Sequence, residues 1–262
     1  VEKPIDPKFV SQAPYKGAFF FQLLNDNGKW SLREKRCLFM KGMNAAIEKS
    51  SEKIIDSKQG IVRASGLIPW GVVGHYSNMQ PQFQLSPKSS TKKEADPSVF
   101  QLAVLSRFTS VWDKKEILSI EGKLKTYGFS AKFAQIPTGE YIDLSNSNRR
   151  KLDGVFGALA LVSVDAKHFL DFWTSDFRDK SFSPQFSPFD KLMKDQSFME
   201  KKESRGALYE EASALLESEC WTLPIAHVLT SFIYLDPGFK IEKMNALGIF
   251  STKLNFARRI PK

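Results

Sequence analysis

Cysteine and histidine are scarce in this 262-residue chain, which has two of the first and three of the second. Cys37 and Cys220 stand alone, with no CxxC and no Cys/His spacing, which excludes the usual structural zinc sites. Two cysteines allow one disulfide, but nothing around them in sequence says that they meet, so a pair of buried thiols is the default expectation. His75, His168 and His227 occur after a glycine-rich loop, inside a helix and in a Trp/Pro strand. No HExxH, HxH or His–carboxylate spacing joins them, so nothing points to a catalytic metal. The GxSxG elbow, the Walker loop and a GxGxxG opening a helix are missing as well. Gly71-Val72-Val73-Gly74 follows Pro69 and Trp70 without leading into a capped helix, and reads as an ordinary surface loop. Glu210 and Glu211 sit among charges on a helix, where solvated surface is the expectation. The chain therefore reads as non-catalytic, without metal or cofactor.

Long apolar runs are absent too. The longest candidate, Val155 to Val164, has the length of a buried strand and falls short of a membrane span. Lys and Arg outnumber Asp and Glu by 38 to 29, a net charge of +9. The basic clusters are short, scattered and mostly close to acids: Lys88, Lys92 and Lys93 with Glu94 and Asp96, Arg149 to Lys151 with Asp153, Lys201 and Lys202 with Glu203. A polyanion groove needs the charge focused on one face, so no nucleic-acid partner is expected.

What is present is a core's worth of apolar residues, 42% of the chain, in alternating elements. Ala18 to Leu24 reads as a buried strand closed by a turn at Asn25-Asp26-Asn27-Gly28. Ser31 and Glu34 have capping-box spacing, and Cys37, Met40, Met43 and Ile47 recur at helical intervals until Lys49. Residues 60–98 carry repeated prolines and glycines, and are expected to form a long excursion with little regular structure. Then follow a strand at Leu102–Phe108, a helix capped by Asp113 and Glu116 and stopped by Gly128, and a strand at Phe129–Ile136. A weaker helix from Thr138 to about Arg150 and an apolar strand at Gly154–Val164 come next, and Asp165 can cap a helix carrying Phe169, Phe172 and Trp173. This β-α-β-α-β-α order predicts an α/β fold with a mixed, mainly parallel sheet flanked by helices. After a Phe/Ser/Pro stretch, Leu208, Ala212, Leu215 and Leu216 mark a strong helix from Ser204 to about Glu219. Short strands follow at Trp221–Ala226 and Leu229–Leu235.

Three blocks of this order resemble the C-terminal half of the oligopeptide-binding proteins, the family 5 extracytoplasmic solute-binding components of ABC importers. The first is Phe19-Phe20-Phe21-Gln22-Leu23-Leu24-Asn25 through Arg36 to Asn44-Ala45-Ala46-Ile47. The second is Ile68-Pro69-Trp70-Gly71 with Gly74. The third is Arg205-x-x-Leu208-Tyr209-x-Glu211-Ala212 through Leu216 to Pro224-Ile225. Between them Lys114 to Gln135 looks like the family's helix and strand. The resemblance implies a periplasmic-binding-protein-like (type II) second lobe in residues 1–225, with a long loop at about 60–98. It also implies C-terminal strands in 226–262 that return to a first lobe, with the ligand closed between lobes by a hinge. The implied partners are a peptide or other small solute and ABC permease subunits. The implied place is periplasmic or extracytoplasmic, with membrane contact only through the permease or a lipid anchor. A signal would sit on the first lobe, and such a compartment tolerates a Cys37–Cys220 disulfide without requiring one.

The sequence departs from the resemblance at one point. Peptide-binding members carry a Gly-Trp-x-x-Asp segment whose Asp pairs with the peptide α-amine; the matching stretch is Ala158-Leu159-Ala160-Leu161-Val162, with aliphatic residues in place of Trp and Asp. The candidate ligand-binding residues are therefore Ala158, Leu159, Leu161, Val162 and Ser163 at the end of a strand, with Trp70 and His75 from the long loop. Plain core packing is the alternative for Leu159, Leu161 and Val162. A degenerate lobe that binds a partner protein, or an enzyme domain on the same scaffold, is the alternative for the whole chain.

Overall fold

The computed structural model describes residues 10–24, 28–55, 61–69, 72–75, 98–105, 112–143, 151–160, 165–176, 183–195, 202–233, 239–241 and 257–259. Six strands form one sheet in the order β2-β6-β1-β5-β3-β4: β1 (Val10–Leu23), β2 (Ile61–Arg63), β3 (Val99–Leu105), β4 (Ser130–Ile136), β5 (Gly154–Ala160) and β6 (Thr222–Ile233). β3 is parallel to β4 and β5, while β1 is antiparallel to β5 and β6, and β2 to β6. Four of the six strands thus run one way, which gives the expected mixed α/β architecture. A separate pair, β7 (Phe239–Ile241) and β8 (Ala257–Arg259), is antiparallel.

The helices are α1 (Arg33–Glu52), α2 (Lys114–Thr126), α3 (Thr138–Asp143), α4 (Lys167–Leu170), continued by a 3-10 turn at Asp171–Trp173, α5 (Ser187–Asp195) and α6 (Lys202–Ser218). β1 is central and covered on both faces, so Phe19, Phe20, Phe21 and Leu23 are all buried instead of alternating. On one face Phe21 packs on Phe39 of α1; on the other Phe20 meets Trp173, whose indole donates to Gln22 Oε1 at 2.6 Å. α2 starts as expected: the Asp113 carboxylate accepts from the Lys115 and Glu116 N–H groups, and Glu116 accepts from the Asp113 N–H. Gly128, at φ +87°, ends it, and the Phe129 N–H returns to the Leu124 carbonyl.

Several expectations are corrected. α1 does not use a Ser31–Glu34 capping box: its N-cap is Leu32, with no side-chain cap bond, and the Ser31 N–H turns back to the Gly28 carbonyl. The Trp30 and Ser31 carbonyls are bound instead by the buried Arg36 guanidinium, which also holds the Glu219 carboxylate. Cys37 and Cys220 are not free thiols; they form a disulfide between α1 and the end of α6. The glycine cluster is no surface loop, since Val72 and Gly74 are buried. Residues 60–98 include β2, and the Phe/Ser/Pro stretch Phe182–Phe189 runs into the first three residues of α5, for which no helix was expected. The two short strands expected after Trp221 are one, β6.

Candidate functional site

Strand direction singles out one edge of the sheet. β3, β4, β5 and β6 run the same way, so β3 ends at Leu105, β4 at Ile136 and β5 at Ala160 towards a common side. Register fixes the level of that edge: Gly17 of β1 lies opposite Ala160 on one flank and Val228 of β6 on the other. β1 and β6 do not stop there. They continue past it as a two-stranded ribbon, Ala13 opposite Thr230 and Val10 opposite Ile233. The ladder is irregular between Ala13 and Gly17, where Pro14 has no N–H to contribute. Open α/β sheets hold ligands beyond the carboxyl ends of their parallel strands, and this edge is where such a site belongs.

A second element reaches the same side. β2 starts level with the edge, Ile61 opposite Val228, and runs away from it. The chain then passes between β6 and α6, held at consecutive residues. His227 Nε2 donates to the Gly66 carbonyl at 2.8 Å, the Leu67 N–H donates to Glu217 Oε1 at 2.8 Å, and His75 Nδ1 donates to the Ile68 carbonyl at 2.8 Å. A carbonyl only accepts, so the proton must sit on Nε2 of His227 and on Nδ1 of His75. Val73 then bridges Asp165 in parallel fashion, just beyond the segment that follows β5. Gly74, at φ +92°, lies so close to α6 that a Cβ there would come within 2.4 Å of Tyr209 Cβ.

Asp165 organises this junction. Its carboxylate accepts from the Lys167 N–H at 2.9 Å and lies 3.4 Å from Arg205 Nη2. Burial alone would raise the Asp165 carboxyl, but the Lys167 N–H, the Tyr209 hydroxyl and Arg205 together outweigh it and hold the carboxyl below its ordinary value. Burial first, and then the bond to Asp165, push the Tyr209 phenol up.

Glu217 and His227 are both buried, and burial shifts each towards its neutral form. The Glu217 carboxyl is pushed up to about 7, against the favourable Leu67 N–H and Ser213 hydroxyl. The His227 imidazole is pushed down to about 4 by burial, partly offset by the Gly66 carbonyl, with nearby His75 adding to the depression. Their effects on stability have opposite signs. Glu217 contributes stability that is full below its ordinary 4.5 and is lost as the pH rises through about 7. His227 contributes stability that is full above its ordinary 6.5 and is lost as the pH falls through about 4.

Of the residues expected to line a cleft, Ala158 and Leu159 lie in β5 opposite Phe19 and Ala18, half-buried and packed on the core. His75 is half-buried and engaged with the Ile68 carbonyl, two residues from the Val73–Asp165 bridge. Trp70, Leu161, Val162 and Ser163 lie outside the described residues. Asp165, Arg205, Tyr209, Glu217 and His227 were not expected as a group. The one local signal was polar Ser213 and Glu217 spaced at i, i+4 beside an apolar helical stripe. Among the described residues no three His, Cys, Asp or Glu side chains are placed to hold a metal, and no helix is long and apolar enough to cross a membrane.

No protein-family model matches the chain, and no curated protein matches it in sequence. Its fold, however, is found among solved structures. The Escherichia coli murein tripeptide binding protein MppA is 16% identical with a TM-score of 0.62, over 92% of this chain and 47% of that one. Haemophilus influenzae OppA, solved with the peptide RPPGFSPFR, is 15% identical with a TM-score of 0.62, over 97% and 50%. The periplasmic binding protein DppA of Helicobacter pylori, solved with the peptide STSA, is 14% identical with a TM-score of 0.62, over 96% and 49%. The chain spans about half the length of each. It therefore has the fold of about half of a family 5 solute-binding protein, the family its motifs resemble.

Proposed function

We propose that this chain is one lobe of the solute-binding component of an ABC importer, a non-catalytic protein that captures a peptide or other small solute and presents it to permease subunits. One observation carries the reading: the β1/β6 ribbon leaves the sheet through the same edge as the ends of β3 and β5. A first lobe carried by that ribbon would face this edge, and the ligand would lie between the two, with the irregular ladder at Ala13–Gly17 as the bending point. On this reading the lobe extends to about Val228, and the strands beyond it belong with the first lobe. Ala158, Leu159, Leu161, Val162 and Ser163 would form the ligand wall at the end of β5, with Trp70 and His75 from the segment beside it. The peptides named with OppA and DppA support a peptide-like ligand. The disulfide favours an extracytoplasmic, oxidising compartment, in line with the periplasmic setting named for MppA and DppA.

The reading is tested by native mass spectrometry of the full-length protein and calorimetry of the 262-residue chain alone. A lobe by itself keeps its core but loses most contacts that make affinity. The full-length protein is expected to carry a small solute, and the isolated chain to unfold cooperatively while binding no peptide tightly. A submicromolar Kd for a peptide on the isolated chain would show that the site is not interlobal.

A further inference from the structure

The clasp on residues 66–68 is denser than a connecting segment needs. Consecutive residues offer a carbonyl, an N–H and a carbonyl, and each is met by a different side chain: His227 from β6, Glu217 from α6 and His75 from further along the same segment. A simpler design would leave these groups to water or to a strand. Here two of the three side chains are almost wholly buried, Glu217 at 8% and His227 at 1% exposure. Ionisable groups are rarely placed so unless the geometry uses them.

We propose that Glu217, His227 and His75 form a latch that holds residues 66–68 against β6 and α6, and that its acidic and basic members are opposed so that the hold stays constant across mildly acidic pH. The latch stands on its own contacts; only its bearing on a ligand rests on the solute-binding reading above.

The opposition follows from what each group does on opening. Released, Glu217 gives up its proton more readily and His227 takes one more readily. Between roughly pH 4.5 and 6.5 acidification therefore strengthens the hold through Glu217 and weakens it through His227. The groups acting on them complete the circuit. Ser213 and the Leu67 N–H face Glu217, and His75 and the Gly66 carbonyl face His227. Asp165, Arg205 and Tyr209 hold the far end of the segment through the Val73 bridge and the Gly74 contact. On the solute-binding reading the protein meets external pH directly, and a compensated latch keeps residues 66–68 in place there.

The test is peptide-resolved amide exchange on the whole chain at pH 4.5, 5.5 and 6.5, corrected for intrinsic rates. In the wild type, protection of residues 64–69 is expected to vary by less than about threefold over the range. With Glu217→Gln the His227 term stands alone, and protection should fall by tenfold or more on going from pH 6.5 to 4.5, one pKa unit being worth about tenfold. With His227→Gln the trend should reverse, while His75→Gln should speed opening. Should a variant not fold, proton NMR of the wild-type imidazoles decides, with His227 expected to stay neutral at pH 5.5. A His227 titrating near its ordinary 6.5, or variants whose pH profile matches the wild type, would overturn the proposal. Neither readout requires a ligand, so failure of the latch and failure of the solute-binding reading are told apart.

Discussion

Removing the Cys37–Cys220 bond should lower the stability of this chain by about 3 to 5 kcal/mol. The bond joins residues 183 apart in sequence, and the loop-closure treatment of a cross-link of that size gives about 5 kcal/mol at 25 °C, the top of the measured range. The native ends would stay together without it. Arg36 Nε donates to the Glu219 carbonyl at 2.9 Å and Nη2 to Glu219 Oε2 at 3.1 Å, and the guanidinium lies 4.1 Å from the Trp221 ring centre. The loss therefore falls on the unfolded chain, which gains freedom, and little on the fold. Cys220 supplies a partial offset. Its φ of +60° is the left-handed conformation, which costs a residue with a Cβ about 1 kcal/mol or more. Cys37→Ala with Cys220→Gly should accordingly lose about 1 kcal/mol less than Cys37→Ala with Cys220→Ala. Urea unfolding followed by circular dichroism measures all three proteins, and m should rise in both variants as the unfolded chain expands. A loss under about 1 kcal/mol, or two titratable thiols in the unreduced protein, would refute the argument.

Two further outcomes are expected. Gly74→Ala should lower stability by about 2 kcal/mol or more, because its Cβ would meet Tyr209 Cβ at 2.4 Å and its φ is +92°. Gly122→Ala in α2, with nothing within 4 Å of the new methyl, should be neutral or stabilising by up to about 1 kcal/mol. Thermal unfolding that ranks the two the other way contradicts the packing of segment 72–75 on α6. On the solute-binding reading, the motif resemblance implies that Val162 takes the place of the Asp that pairs with the peptide amine; the full-length protein is then expected not to distinguish a free from an acetylated N-terminus on a peptide ligand, and Val162→Asp to create the preference. Calorimetry showing wild-type binding weakened more than about tenfold by acetylation, roughly 1.4 kcal/mol, would count against the alignment.

Where the sequence could be read and where it could not follows from the range of the interaction that decides each feature. Asp113 with Glu116, and Gly128, act within one turn of the helix they bound, so spacing alone reveals them. Ser31 and Glu34 have the same spacing, yet the helix start there is settled by Arg36, whose guanidinium answers the Trp30 and Ser31 carbonyls and reaches Glu219 from the end of α6. Pro188, one residue into α5, marks a helix start as well as a loop, and a stretch rich in Phe, Ser and Pro favours the second reading until Phe189 and Met193 are seen buried. The disulfide partners are remote, and no local pattern couples them.

The site is the extreme case of this dependence on distance. Leu208, Ala212, Leu215 and Leu216 mark a plausible buried stripe, but the face that α6 buries includes Tyr209, Ser213 and Glu217, while Leu208 and Leu215 are only half-buried. An acid can turn inward there because the Leu67 N–H meets it at 2.8 Å, from 150 residues earlier in the chain. A helix read alone assigns Glu217 to water, since burying an unanswered carboxyl costs several kcal/mol. Its inward place becomes legible once the partner segment is laid beside it. The same holds for His227, whose donor nitrogen is set by the carbonyl of Gly66 and by nothing in β6 itself. Periodicity therefore yields the strands and the edge they share, whereas the polar contacts that hold residues 66–68 depend on pairs of residues that only the tertiary fold brings together.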